Sequence, residues 1–282
     1  MRKIAFLIII ILFAAISTRA QTVTYKVYIV RFASTAHPFA IADWAYKGPT
    51  TDSVRINFMV WLIKGSNGKN ILVDAGFLND LPDAADFNVV KYTRPDSALL
   101  KLDIKPGDIT DIILSHPHWD HIDGVGLFPN AHVWIQKDDY GYFVGGAWQK
   151  DGNNGGFNKR DVRTMLDLNL AGKLTLVDGD NKELMPGIKV FTGSRHTYNS
   201  QYVLVETGTN KIVLASDNIW IYYSLQHMVP ASDGGTLDPA GYIKAMQRMK
   251  TMVSDTKFII PGHDAAVFSV FPKVADGVAE VK

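Results

Sequence analysis

The sequence predicts an α+β domain, and three observations carry that prediction. Short apolar runs of strand length fill the first half and are then interleaved with a few helices. From Gln21 onward there is neither an internal repeat nor a low-complexity linker, so residues 21–282 read as one domain. The composition is globular, with 282 residues, 47% apolar and 20% charged, which excludes disorder, collagen and coiled coil.

The elements follow in chain order. Residues 22–31 alternate, with Val23, Tyr25, Val27 and Ile29 on one face and Thr22, Thr24 and Lys26 on the other. Strands are predicted at 55–63 and 70–73, separated by the turn-forming tract 64–69. Further strand-length runs lie at 112–115, 131–135, 174–177, 188–192, 202–206, 212–216 and 258–260. Asp238 followed by Pro239 is an N-cap with proline at the first helical position, opening a helix to about Met252. Shorter helices are predicted at 161–168 and 97–102. Two aromatic tracts, 37–46 and the glycine-rich 141–157, lack a period and read as loops that touch something apolar.

Composition also limits the chemistry. There is no cysteine, so disulfides, thiolate zinc sites, iron–sulfur clusters and thiol catalysis are excluded, and any metal is held by His and carboxylate. With 29 basic and 28 acidic residues, nothing points to nucleic acid as a partner. Met1, Arg2 and Lys3 precede an uncharged apolar run at 4–16, shorter than the roughly 20 residues that span a bilayer. Thr18 and Ala20 then stand where a signal peptidase reads small residues. Residues 1–20 are therefore expected to be a signal peptide, leaving an exported, periplasmic or secreted protein without stable membrane association.

The segment His116-Pro-His118-Trp-Asp120-His121 is the most informative. Imidazoles at i and i+2 of an extended chain point the same way, so His116 and His118 can grip one ion. A turn through Trp119 lets Asp120 and His121 face a second. Such a motif supplies only part of a ligand set. The others are sought at the ends of later strands, where His196, Asp217 and His263 stand. Gly262 is expected to permit the turn that exposes His263.

This order of ligands resembles the metallo-β-lactamase superfamily along essentially the whole of residues 21–282. The resemblance implies a four-layered αββα sandwich. It implies that His116, His118 and His196 bind one divalent ion, Asp120, His121 and His263 a second, and that Asp217 bridges both. Asp74 matches the aspartate that supports the centre from behind. The ions are expected to be zinc, with iron, cobalt or manganese also compatible. An acidic residue replaces the second histidine in the redox branch; His118 here points to hydrolysis.

Residues 193–202 and 214–222 are most similar to the N-acyl-homoserine lactonases of quorum quenching. The implied reaction is opening of a small-molecule lactone by a metal-bridging hydroxide, with Asp120 passing a proton to the leaving alkoxide. The same machinery would also serve another ester, a thioester or a β-lactam. That family places a tyrosine three residues after the bridging aspartate, and Trp220 stands there in this chain. Tyr222 or Tyr223 is therefore expected to supply the phenol, and both are named as catalytic candidates with Asp120. The sequence leaves the oligomeric state open.

Overall fold

A computed structural model describes residues 23–282; the signal-peptide expectation for residues 1–20 lies outside the described residues. The strands are β1 (Tyr25–Thr35), β2 (Phe39–Ala40), β3 (Ser53–Val54), β4 (Asn57–Gly65), β5 (Asn70–Val73), β6 (Val89–Val90), β7 (Asp111–Ile113) and β8 (His132–Gln136). They continue with β9 (Leu174–Val177), β10 (Lys182–Met185), β11 (Ile188–Thr192), β12 (Gln201–Glu206), β13 (Lys211–Ser216), β14 (Ile259–Pro261), β15 (Lys273–Ala275) and β16 (Val278–Val281). The α-helices are α1 (Pro82–Asp86), α2 (Pro95–Leu99), α3 (Trp119–Ile122), α4 (Lys137–Val144), α5 (Lys159–Leu170), α6 (Tyr222–His227), α7 (Pro239–Met252) and α8 (Val267–Val270).

Two sheets result. One runs β15-β16-β1-β4-β5-β7-β8-β9, with β6 paired to the end of β1; the other runs β10-β11-β12-β13-β14. Strands β5, β7, β8 and β9 are parallel neighbours, as are β13 and β14. Each parallel step needs a crossover, and the helices supply it. Alternation along β4 shows the layering. Met59, Trp61 and Ile63 pack between the sheets against Val203, Val205, Ile212 and Leu214. Phe58, Val60 and Leu62 face the outer core with Leu99, Trp119, Phe143 and Met165. On the far side, Tyr202, Leu204 and Val213 pack on Tyr242, Met246 and Met249 of α7. The order is helix, sheet, sheet, helix, the four-layered sandwich expected. Each fully buried large apolar side chain contributes about 1.5–3 kcal/mol.

The departures from the sequence reading have local causes. Strand β1 continues past Arg31 through a bulge between Arg31 and Ala33 that keeps it paired with β4. Strands β10 and β15 each open on two exposed residues and so lack an apolar alternation. The glycine-rich tract begins inside α4, which contains Gly141.

Buried amides join the two sheets where the metal-type residues emerge. Gln201 N–H donates to Ser115 O (2.8 Å), Gln201 Nε2 to Leu114 O (2.6 Å), and Gln136 Nε2 to Gln201 Oε1 (2.9 Å). The segment after α3 is locked to the loop after β5: Ala75 N donates to His121 O (2.7 Å) and Gly124 N to Gly76 O (2.8 Å). A Cβ on Gly124 would overlap the Ala75 carbonyl. Gly124→Ala is therefore expected to lower stability by about 1–3 kcal/mol and to reduce metal uptake as the His121 turn lifts away. Urea unfolding and elemental analysis of the variant check both.

Candidate metal centre

The seven candidate ligands gather at one edge of the sandwich, at or just beyond the carboxyl ends of β7, β11, β13 and β14. After β7 the chain stays extended through His118 and then enters the single turn α3, which carries Asp120 and His121. Arg195 and Ser216 take left-handed backbone conformations (φ 48° and 47°) immediately before His196 and Asp217, turning those side chains off their strand directions. Two groups form. His116, His118, His196 and Asp217 make one, and Asp120, His121 and His263 the other; within each, the ligand atoms lie within 4.8 Å of one another. Asp217 stands between them. Its Oδ2 is 3.3 Å from His196 Nε2, and its Oδ1 is 3.3 Å from His121 Nε2 and 3.0 Å from His263 Nε2.

The ring nitrogen opposite the centre is held in most of these histidines. His121 Nδ1 donates to Asp74 Oδ2 (2.8 Å), His196 Nδ1 to Gly235 O (2.8 Å) and His263 Nδ1 to Asn57 O (3.1 Å). His116 Nδ1 lies 2.8 Å from Ser115 Oγ. These contacts fix tautomer and ring orientation and turn the other nitrogen toward the centre, where His196 Nε2 also lies 2.9 Å from His118 Nδ1. Asp74, itself left-handed at φ 60°, also accepts from Ser115 and Ser216, so it supports the centre from the position the resemblance gave it. Gly262 does not adopt positive φ; its role is room, since a Cβ there would come within 2.5 Å of Asp217 Oδ1.

Buried His116 Nε2, His121 Nε2 and Asp217 Oδ1 have no hydrogen-bond partner among the described residues. Leaving such atoms unpaired costs about 1–3 kcal/mol each, and their convergence fits cations. Imidazole and carboxylate donors suit zinc and its first-row neighbours. The charges are arranged accordingly. Burial, reinforced by His121 and His196, holds His116 well below its usual range, and burial pushes His118 down to about 3. Both present neutral nitrogens, the form that binds metal. Burial would also depress His121, but the carboxylates of Asp120, Asp217 and Asp74 hold it well above its ordinary value. Burial alone would raise Asp217, yet His263 and His121 keep it well below the carboxylate range.

The centre forms the floor of a cleft of about 590 Å³. Phe39, Trp44, Phe87 and Trp119 make one wall, with ring centroids 5.8–6.3 Å apart in successive pairs. Tyr142, Phe157, Tyr198 and Leu237 line the other, and Tyr142 stacks on Tyr198 at 4.7 Å and 11°. Both aromatic tracts singled out in the sequence thus reach the cleft. Gly156, at φ 76°, passes so close to His118 that a Cβ would sit 2.7 Å from the imidazole, which explains a glycine there.

Tyr222 and Tyr223 are a correction. Neither lines this cleft; both line a separate cavity with Arg55, Lys257 and Asp264. The Tyr222 N–H donates to Asp264 Oδ2 (2.9 Å) at the start of α6, and Tyr223 stacks on His227. The structure therefore does not bring these phenols to the centre. Trp220 does line the cleft.

One residue that the sequence reading missed is Asp139, fully buried on α4. It accepts from Thr197 Oγ1 (2.6 Å) and Asn199 N (3.1 Å), tying α4 to the segment beyond His196. An aspartate between Lys137 and Tyr140 carries no pattern that could have revealed it. Burial raises its carboxyl from 3.8 to about 6. Because the folded value lies above the unfolded one, its contribution to stability is complete below pH 3.8 and is lost as pH rises through about 6. Between about pH 4 and about pH 7 the wild type should lose up to about 3 kcal/mol from this group that Asp139→Asn does not lose. Urea midpoints at the two pH values measure the difference.

Comparison with known proteins agrees with this geometry. Residues 59–263 match the family described as Metallo-beta-lactamase superfamily. An N-acyl homoserine lactonase of Bacillus cereus is 27% identical over 229 residues, spanning 74% of this chain and 82% of that protein. The N-acyl homoserine lactonase AttM of Azorhizobium caulinodans is 28% identical over 188 residues, 61% of this chain and 64% of its own. The crystal structure of a quorum-quenching N-acyl homoserine lactone lactonase shares the fold with a TM-score of 0.69 at 19% identity, covering 89% of this chain and 97% of the other. AidC, a dizinc quorum-quenching lactonase, does so at 0.64 and 20% identity, covering 91% and 94%. The matched span runs from β4 to His263 and so contains every member of both His/Asp groups: the chain belongs to the metallo-β-lactamase superfamily and is a metallo-hydrolase related, at modest identity, to N-acyl homoserine lactonases.

Proposed function

We propose that this protein is a dinuclear lactonase that opens the ring of N-acyl-homoserine lactones. The observation that carries this reading is the pairing of two adjoining His/Asp groups, with Asp217 in contact with both, and an aromatic cleft directly above them. The floor suits an ester and the walls suit an acyl chain, and the curated relatives matched are named N-acyl homoserine lactonases. His116, His118, His196 and Asp217 would hold one divalent cation, and Asp120, His121, His263 and Asp217 the other. When bound, such cations polarise an ester carbonyl and lower the pKa of water from 15.7 to about 7. Zinc is the proposed ion, consistent with the donor set.

The chain's own residues do the remainder. The walls hold the acyl chain and exclude water from the floor. Asp120 Oδ2 lies 3.2 Å from His121 Nε2 and 3.5 Å from His263 Nε2, at the edge of the centre, where a carboxylate can carry a proton. Water adds to the lactone carbonyl carbon, the ring C–O bond breaks, and the proton reaches the departing alkoxide through Asp120. Export by residues 1–20 is part of the same proposal, and would put the enzyme where diffusible lactones pass between cells.

Chelator treatment should abolish hydrolysis and about two equivalents of zinc should restore it; one equivalent at full activity would refute the dinuclear reading. Asp217→Asn keeps the shape and removes the charge, and should lower turnover at least about tenfold to a hundredfold with the fold retained, as circular dichroism and initial rates will show. A panel of short- and long-chain acyl-homoserine lactones, a simple ester, a thioester and a β-lactam tests the substrate. Preference for any of the last three over the lactones would retain the metallo-hydrolase and remove the lactonase.

A further inference from the structure

Trp220 has a single polar side-chain atom, and that atom is committed. Its Nε1–H donates to Asp217 Oδ2 at 2.8 Å. The residue is held from several directions. Its backbone N–H donates to Tyr242 Oη (3.1 Å), and its carbonyl accepts from His263 N (3.0 Å). The ring lies edge-on to Trp44 (5.1 Å) and to His196 (5.5 Å). Beneath it, Gly235 leaves no room for a side chain, since a Cβ would lie 2.5 Å from the indole. The aspartate it holds is asymmetric in consequence. Oδ2 takes the indole N–H and faces His196, while Oδ1 has no hydrogen-bond partner among the described residues and faces His121 and His263.

We propose that Trp220 is a positioning residue for the metal centre, its indole N–H setting the rotation of the Asp217 carboxylate so that one oxygen addresses each histidine group. The proposal rests on the reading of the seven side chains as metal ligands. An indole nitrogen donates and does not accept, so it orients the carboxylate without competing for a cation. The same commitment withholds Trp220 from substrate. With its only N–H spent on Asp217, and with Tyr222 and Tyr223 lining another cavity, Trp220 contributes shape to the cleft and the stretch 220–223 offers no side-chain donor to the substrate carbonyl.

Zinc binding by chelator-stripped full-length protein, in competition with a fluorescent chelator, tests this without any substrate. Trp220→Phe keeps a ring against Trp44 and His196 but lacks the N–H. It should bind zinc at least about tenfold more weakly than wild type, while the stripped protein still unfolds cooperatively and loses less stability than Trp220→Ala. Trp220→Ala should lose both affinity and stability. If Trp220→Phe binds zinc as tightly as wild type and only Trp220→Ala is impaired, the residue merely packs and the proposal fails. A double-mutant cycle gives an independent reading: on an Asp217→Asn background the Trp220→Phe loss should vanish, and additive losses would overturn the proposal. Wild-type protein that takes up no zinc would remove the metal centre and this role together, whereas normal uptake by both wild type and Trp220→Phe removes this role alone.

Discussion

Asp74 is a carboxylate with no exposed surface, sitting where three strand ends converge. Taking an unpaired carboxylate out of water is costly, and the structure meets that cost with four hydrogen bonds, from Ser115 N, Ser115 Oγ, Ser216 Oγ and His121 Nδ1. These donors come from β13 and from the segments beyond β7, so the requirement to satisfy one buried charge fixes how the two sheets meet at this edge. Asp74 and Ser216 each adopt left-handed backbone to achieve it. Such strain of about 1–3 kcal/mol persists only where surrounding structure over-determines it.

From that anchor the electrostatics follow. His116 and His118 are held neutral, while His121 and His263 are drawn toward their charged forms by Asp120 and Asp217. The centre thus sets negative and positive groups at contact distances, a condition under which protons and divalent cations compete for the same nitrogens. Aromatic side chains close the cleft around it, and Phe58 and Trp44 pack directly on the His263 ring.

Much of this was legible in the chain. His116, His118, Asp120 and His121 lie within six residues, so local geometry alone brings them together; His196, Asp217 and His263 each follow an apolar run that ends at the same sandwich edge. The helix Pro239–Met252 announced itself by its Asp238 cap, whose side chain accepts from Gly241 N. What escaped was anything decided by rotation of a side chain about its own backbone. Tyr222 and Tyr223 sit within a few residues of Trp220, yet α6 begins at Tyr222 and both rings line a different cavity from Trp220. The edge strands β10 and β15 escaped because exposed strands need no apolar alternation.

Each of the two His/Asp groups draws members from both sheets: His116 and His118 follow β7 while His196 and Asp217 follow β11 and β13, and Asp120 and His121 of α3 are completed by His263 after β14. Neither half of the sandwich can assemble a binding set alone, so ion uptake doubles as a clamp across the interface between the sheets. On the proposed reading, the lifetime of the folded molecule is tied to the supply of metal around it. On that reading, when metal is scarce the two halves are held only by their own packing and amides, and proteases would clear the empty protein sooner than the loaded one.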